Sequence, residues 1–458
     1  MKFSPLARSI SLGTLAIALS VPLAAQAAFI EDSKASLELR NFYMNRDFRH
    51  DDKKHKAINN PTNDPAKYQV GGNRQSKAEE WAQGFLLRYE SGFTEGTVGV
   101  GVDAIGSLGL KLDSGRGTAG TGLLLQDKET KKAQDSYSKL AAAAKFKVSN
   151  SVLKVGNVMP KLPVISSSDS RLLPQSFKGG SLNVQEIEGL SVDLGRLDRV
   201  NNKASQDHEA LKVNGLQSKS LKYTKKNEAH KLTNRRQDSN AFDFASLSYK
   251  WGDTGLTTGY HYGKLDDFYK QHIVNGVYVL PIADGQSLKI DLRYARTSED
   301  GKSGIDNRAI SGMLTYSLGY NSFGLGYQKM SGDTGYAYLA ETDPFLTNYV
   351  QVRDFAAQDE KSWQARYDYN FAGLGVPGLN FMTRYVRGSN IHMGYNTAGV
   401  KKSTGKEWER DTDIAYVVQD GPLKNLGVRW RNSTVRSDIS VGKVNENRLI
   451  VSYTIPLL

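Results

Sequence analysis

The sequence predicts an all-β fold: a transmembrane antiparallel β-barrel of about 18 strands with inward-folded constriction loops. Three observations predict it. Alternation of apolar and polar residues recurs down to the last residue. The connections between these segments alternate between short and long. Beyond the N-terminus, no apolar run approaches the ~20 residues that a membrane helix needs.

The N-terminus comes first. Lys2 and Arg8 precede an apolar stretch from Leu12 to Leu23, and Ala25-Gln26-Ala27 follows. Basic, apolar and small-residue parts in that order read as a secretory signal peptide over 1–27, cleaved after Ala27. The apolar core is too short for a spanning anchor. Residues 28–458 are then expected to form a single barrel domain.

Strand patterning follows. Within Thr97 to Leu112 one face carries Val98, Val100, Val102, Ala104, Leu108 and Leu110, and the other Gly99, Gly101, Asp103, Ser107 and Lys111. At 361–370, Trp363, Ala365, Tyr367 and Tyr369 oppose Gln364, Arg366, Asp368 and Asn370. The last segment sets Leu449, Val451, Tyr453 and Ile455 against Arg448, Ile450, Ser452 and Thr454. One apolar face for lipid and one polar face for a lumen is barrel patterning. At ~24 residues per strand and connection the length suggests about 18 strands, with sixteen nearly as compatible.

Turn residues mark short connections at 283–286, 375–378 and 420–422. Long polar connections are expected at about 50–79, 113–135, 201–239, 332–346, 388–410 and 436–446. Those at 50–79 and 201–239, rich in Lys, Asn and Asp, read as solvated and mobile. Loops this long are uncommon in a compact soluble domain and normal on the outer side of a barrel.

Composition narrows the function. The chain has no cysteine, which excludes a disulfide framework, a thiolate metal site and a thiol nucleophile. Lys and Arg number 60 against 48 Asp and Glu, a formal charge of +12. Such an excess suits an anionic membrane surface or anionic solutes, and export argues against nucleic acid. The mean hydropathy of −0.49 fits a barrel, because only alternate strand residues meet lipid.

Five arginines stand out: Arg366, Arg384, Arg429, Arg431 and Arg448 lie in four expected strands, each opposite an apolar face. Arg429 and Arg431, two residues apart, point the same way. The plain alternative is a set of solvated strand arginines. Against it, these faces lack the alternating Glu and Lys pairs of a solvated surface, and the opposite faces are too apolar to meet water as well. Guanidinium binds carboxylate through two parallel hydrogen bonds, so a row of them offers an anion successive sites. A second feature is Met159 to Gly180, whose apolar anchors and small polar centre suit either an inward loop or an ordinary outer one.

Other motifs carry nothing. Gly115-Arg116-Gly117-Thr118-Ala119-Gly120 matches a dinucleotide fingerprint, but no helix follows, so it reads as a flexible loop. Hydrolase signatures are missing and the seven histidines have no metal-ligand spacing, so no enzyme activity, cofactor or metal is expected.

Several blocks resemble the outer-membrane porin D (OprD) family: Phe29-Ile30-Glu31-Asp32-Ser33, Leu39-Arg40-Asn41-Phe42-Tyr43, Glu90-Ser91-Gly92-Phe93-Thr94, Ser170-Arg171-Leu172 with Pro174-Gln175, Lys361 to Asp368, and Asn447-Arg448-Leu449-Ile450-Val451. The resemblance implies a bacterial outer-membrane barrel of 18 strands, monomeric or weakly trimeric, with inward loops and a basic ladder for carboxylate-bearing solutes. It places Arg171 at the constriction, Arg429, Arg431 and Arg448 on the ladder, and Arg366 and Arg384 beside them. Asp354 matches an eyelet aspartate of members that take basic amino acids. The chain departs from those members at Tyr349, where they carry a small polar residue, and at Thr342, where they carry a second acid. Asp343 is adjacent, and Arg353 sits beside Asp354. A weaker acidic side beside an intact basic wall favours small organic acids. The alternatives are a porin of the same fold for basic amino acids and small peptides, and an exported soluble β-sandwich that binds acidic polysaccharide.

Overall fold

A computed structural model describes residues 29–49, 76–115, 117–215, 238–394, 403–439 and 442–458. The signal peptide expected at 1–27 lies outside them, as do most of the connections expected at 50–79 and 201–239 and part of that at 388–410.

Among the described residues, eighteen strands form one sheet that closes on itself. In chain order they are β1 (Lys34–Asp47), β2 (Lys77–Glu90), β3 (Gly99–Asp113), β4 (Ser136–Val148), β5 (Ser151–Val158), β6 (Ser176–Val184), β7 (Leu190–Asn201), β8 (Phe242–Lys250) and β9 (Leu256–Leu265). The second half comprises β10 (Tyr269–Ala283), β11 (Gln286–Glu299), β12 (Asn307–Leu318), β13 (Asn321–Ser331), β14 (Lys361–Asn370), β15 (Leu379–Ile391), β16 (Gly405–Val417), β17 (Gly427–Ser437) and β18 (Lys443–Pro456). Each strand pairs antiparallel with its chain neighbours, and β1 pairs with β18 to shut the ring. Closure satisfies every ladder and leaves no edge, the condition for crossing lipid with strands. It also overturns the soluble β-sandwich reading, since a sandwich keeps open edges and buries its apolar faces inside.

The apolar faces point outward. Leu140 and Leu325 are 67% and 66% exposed in the isolated chain, and Val100, Val102 and Leu108 on β3 look out while Gly101, Asp103 and Lys111 line the interior. Trp363, Tyr385 and Trp408, on β14, β15 and β16, form an aromatic row with ring centroids 5.5 and 5.8 Å apart. Such a row matches the girdle that barrels place at a membrane interface.

Connections after even-numbered strands are short. Asp284-Gly285 joins β10 to β11, and a single 3-10 turn (Phe371–Leu374), capped by the Asn370 side chain, follows β14. Connections after odd-numbered strands share the other rim, and among the described residues those of 114–135, 159–175 and 332–360 fold inward. Four expected boundaries shift. The connection expected at 388–410 narrows to 392–404, because Glu407 and Glu409 are lumen-facing residues of β16 whose charge resembles a solvated loop. The connection expected at 332–346 runs to 360, because a loop packed on the wall carries buried apolar residues and mimics strand. The one expected at 436–446 shrinks to 438–442, because Val444 and Glu446 are lumen-facing residues of β18. Ser176 to Gly180 opens β6 instead of closing the preceding loop.

The inward loops are held by burial. Leu172 and Leu173 of 159–175 and Leu123 and Leu124 of 114–135 pack with Phe42, Met44, Leu86 and Tyr137 of the wall. Each fully buried leucine contributes about 1.5–3 kcal/mol relative to exposure. Val164, Ile165, Tyr336, Leu339 and Leu346 join a larger cluster with Phe177, Leu197 and Phe242. Residues 211–215 form a small sheet with 238–239 and 337–339, tying two long connections together. The polar stretches of the loops are thereby brought against the charged inner faces of β14 to β18.

Candidate functional site

Strand parity puts Arg366, Arg384, Arg429, Arg431 and Arg448 on the inner face of β14, β15, β17 and β18, opposite outward residues such as Trp363, Trp430 and Leu449. Register brings them together. Arg366 lies across from Arg384, and Arg431 lies across from Arg448. Between the two pairs runs β16, whose inner face carries Glu407, Glu409, Asp411 and Asp413, all buried. The arginines therefore meet acids: Arg384 Nε sits 2.7 Å from Asp411, Arg429 Nη2 2.6 Å and Arg431 Nε 3.0 Å from Asp413. Arg366 reaches Asp368 at 2.7 Å and Arg448 reaches Glu446 at 2.6 Å, with Arg46 on the other side of Glu446.

The pattern of arginines did not by itself reveal this acidic strand, which the register sets among them. The signal was available: Glu407, Glu409, Asp411 and Asp413 are spaced two apart, so the parity that aligned the arginines also aligns the acids on one inner face. Side-chain exposure is graded, from 2% at Arg448 through 19% at Arg431 to 49% at Arg429. Arg448 lies under the inward loop and donates from Nη2 to the Gln351 carbonyl at 3.2 Å. Arg429 opens, with Arg366, Asp368, Asn380, Met382 and Asp413, onto a recess of 360 Å³ near the short-turn end.

Most of the β16 acids hold the loop 332–360. Glu409 accepts the backbone N–H groups of Val352 and Arg353, both at 2.8 Å, and Glu407 accepts Arg353 Nε at 2.8 Å. Two loops also meet each other: Asp343 N–H donates to the Ser166 carbonyl at 3.0 Å, and the Gln175 amide to the Ala340 carbonyl at 3.1 Å.

Arg171 differs from the strand arginines. Its Nε donates to the Thr121 carbonyl at 3.1 Å and its Nη1 to the Ser170 carbonyl at 2.9 Å. Among the described residues no carboxylate lies within ion-pair distance of it. Burial, then the positive charges of Arg448 and Arg46, push its guanidinium down to about 9, still cationic at neutral pH. Its own carbonyl accepts from Arg40 Nη1 at 2.9 Å, while that guanidinium also grips Asp169 at 2.7 Å. Arg40, although it falls within a block that carries the family resemblance, was not singled out as a site residue, because a single strand arginine looks like any other until its loop partner is known.

Asp354 and Tyr349 lie on the inward loop, both half-buried. Tyr338 donates its hydroxyl to Asp354 at 2.7 Å, and burial raises the Asp354 carboxyl from its ordinary value. The Tyr349 hydroxyl donates to Asp343 at 3.2 Å. Arg353 turns to Glu407, and Thr342 donates to the Leu339 carbonyl at 2.7 Å.

A closed, lipid-facing barrel whose charged lumen is narrowed by its own loops is the architecture of an outer-membrane porin. Residues 27–457 match the outer membrane porin, OprD family, and the chain belongs to that family. It is 37% identical to the porin-like protein GalP of Pseudomonas putida over 453 residues, covering 97% of each chain. Two crystal structures superpose on it closely. Pseudomonas aeruginosa OpdQ gives a TM-score of 0.79 at 55% identity, covering 94% of this chain and all of OpdQ. Pseudomonas aeruginosa OpdK with vanillate gives 0.77 at 34% identity, covering 93% and 100%. The protein is a channel of the outer membrane of Gram-negative bacteria that passes small solutes.

Proposed function

We propose that this porin takes up small carboxylate-bearing solutes along an arginine path, entering at Arg171 and leaving past Arg431 and Arg429. The observation that carries the proposal is Arg171: a guanidinium on an inward loop, near Arg448 and Arg46, with no carboxylate within ion-pair distance among the described residues and Glu446 acting on it only from farther away. A carboxylate from solution supplies the missing counter-charge and accepts the donors that the protein leaves unused. Asp413 sits under Arg429 and Arg431 together, one acid for two cations, which weakens each site enough for release. The related OpdK, a barrel of similar architecture, was crystallised with vanillate, an aromatic carboxylate. Asp354 supports the basic amino acid reading less well, because its carboxylate is already engaged by Tyr338.

Liposome swelling with purified protein tests this. Benzoate or pyroglutamate should enter faster than arginine, and Arg171→Ala should cut carboxylate uptake by about fivefold, the loss of one charge-assisted contact. Faster arginine entry, or cation selectivity that survives joint replacement of Arg429 and Arg431 by Ala, sinks the proposal. As a separate part of the proposal, residues 28–458 form one mature barrel, monomeric or weakly trimeric, released by cleavage after Ala27. The mass of the purified chain and its size in detergent check those points.

A further inference from the structure

The connection between β3 and β4 contains the glycine-rich stretch that sequence analysis set aside as a flexible loop. Its described residues are instead held tightly. Glu80, on the inner face of β2 and completely buried, accepts the backbone N–H of Gly120 at 3.0 Å, that of Leu123 at 3.3 Å, and the Thr121 hydroxyl. Gly120 and Gly122 adopt φ of +112° and +82°, a region that L side chains rarely enter, so the chain reverses at Thr121. Its amides face Glu80 and its carbonyl faces away. That carbonyl is the acceptor for Arg171 Nε, and a Cβ built on Gly122 would stand 3.4 Å from the same nitrogen. From β4 the Tyr137 hydroxyl donates to the Leu123 carbonyl at 2.7 Å and pins the far side of the turn.

We propose that Glu80 is the positioning residue for Arg171: its carboxylate orders the Gly120-Thr121-Gly122 turn, which aims the Arg171 guanidinium at passing carboxylates. The backbone at Arg171 is held separately by Arg40, through the Arg171 and Leu172 carbonyls, so in Glu80→Gln the loop 159–175 keeps that tether while the turn that receives the guanidinium loosens. The proposal rests on the reading of Arg171 as a carboxylate contact.

The test is a double-mutant cycle in planar bilayers with Glu80→Gln, Arg171→Ala and the pair, each first shown to be a heat-modifiable barrel. Two quantities are read: the benzoate concentration that half-saturates the current response, and the reversal potential in a KCl gradient. Glu80→Gln should raise the benzoate value about fivefold when Arg171 is present and leave it unchanged when Arg171 is Ala. An unchanged value in Glu80→Gln overturns the proposal. So does an equal rise in both backgrounds, which marks Glu80 as merely structural. If Glu80→Gln does not fold, Thr121→Val removes the hydroxyl that Glu80 holds and is judged by the same two outcomes. If Arg171→Ala itself leaves benzoate unaffected, the carboxylate reading fails. The reversal potential then judges positioning alone: Glu80→Gln must shift it toward cations only when Arg171 is present.

Discussion

Arg429 and Arg431 share one strand face and one acid, yet they differ in what they offer a solute. Arg429 makes a two-pronged contact with Asp413, Nε at 2.9 Å and Nη2 at 2.6 Å, and still leaves half its side chain exposed. Arg431 approaches the same carboxylate at 3.0 Å, but its Nε is not aligned for a hydrogen bond. Asp413 is therefore the local brake on anions. A unit charge felt across about 10 Å of water is worth about 0.4 kcal/mol. Asp413→Asn should accordingly raise the anion-to-cation permeability ratio by about twofold, read as a shift in reversal potential. At Arg353 the balance is reversed. Its guanidinium is the partner of buried Glu407, and Arg353→Ala strands that acid, at a cost of about 3–5 kcal/mol. Faster proteolysis within 332–360, with the barrel intact, would report it.

Elements, as distinct from residues, divide the work between path and fastening. β16 is the fastener: Glu407 and Glu409 bind the loop 332–360, and Asp411 and Asp413 set the arginines on either side. Glu409→Gln weakens two backbone contacts that are each worth about 1.5–3 kcal/mol when made to a charge. The open-channel current should become noisier and the mean conductance should rise, with no change in the heat-modifiable band. A quiet current at wild-type conductance would show that burial alone seats the loop. The seat is partly apolar, since Val350 and Phe355 pack on Val386 of β15.

Across the whole molecule, the barrel works because one period of two serves both solvents. Odd and even residues of a strand meet lipid and lumen, and ring closure through β1 and β18 leaves no strand unpaired. Trp81, Trp363, Trp408 and Trp430 all lie on outward faces, so lipids brominated along their chains should quench most of the tryptophan fluorescence. Weak quenching would mean that the assigned outer face is wrong.

Within the strands it recognised, the period of two in the sequence was enough to tell outward from inward faces and so the inward direction of Arg366, Arg384, Arg429, Arg431 and Arg448, because side-chain direction in a strand depends only on local backbone geometry. It missed the ends of β6, β15, β16 and β18, which read as connections. The near-18 count followed from length. Pairings across the lumen were not legible, because they join residues far apart in the chain: Arg40 with Asp169, Glu80 with Thr121, Arg353 with Glu407. Loop boundaries slipped where an inward loop buries apolar side chains as a strand does. Only the tertiary structure decided that Arg384, Arg429 and Arg431 meet acids of β16 while Arg171, among the described residues, has no carboxylate within ion-pair distance. Coulombic partnership depends on distance in space, which closure of the sheet and folding of the loops set, and adjacent residues do not.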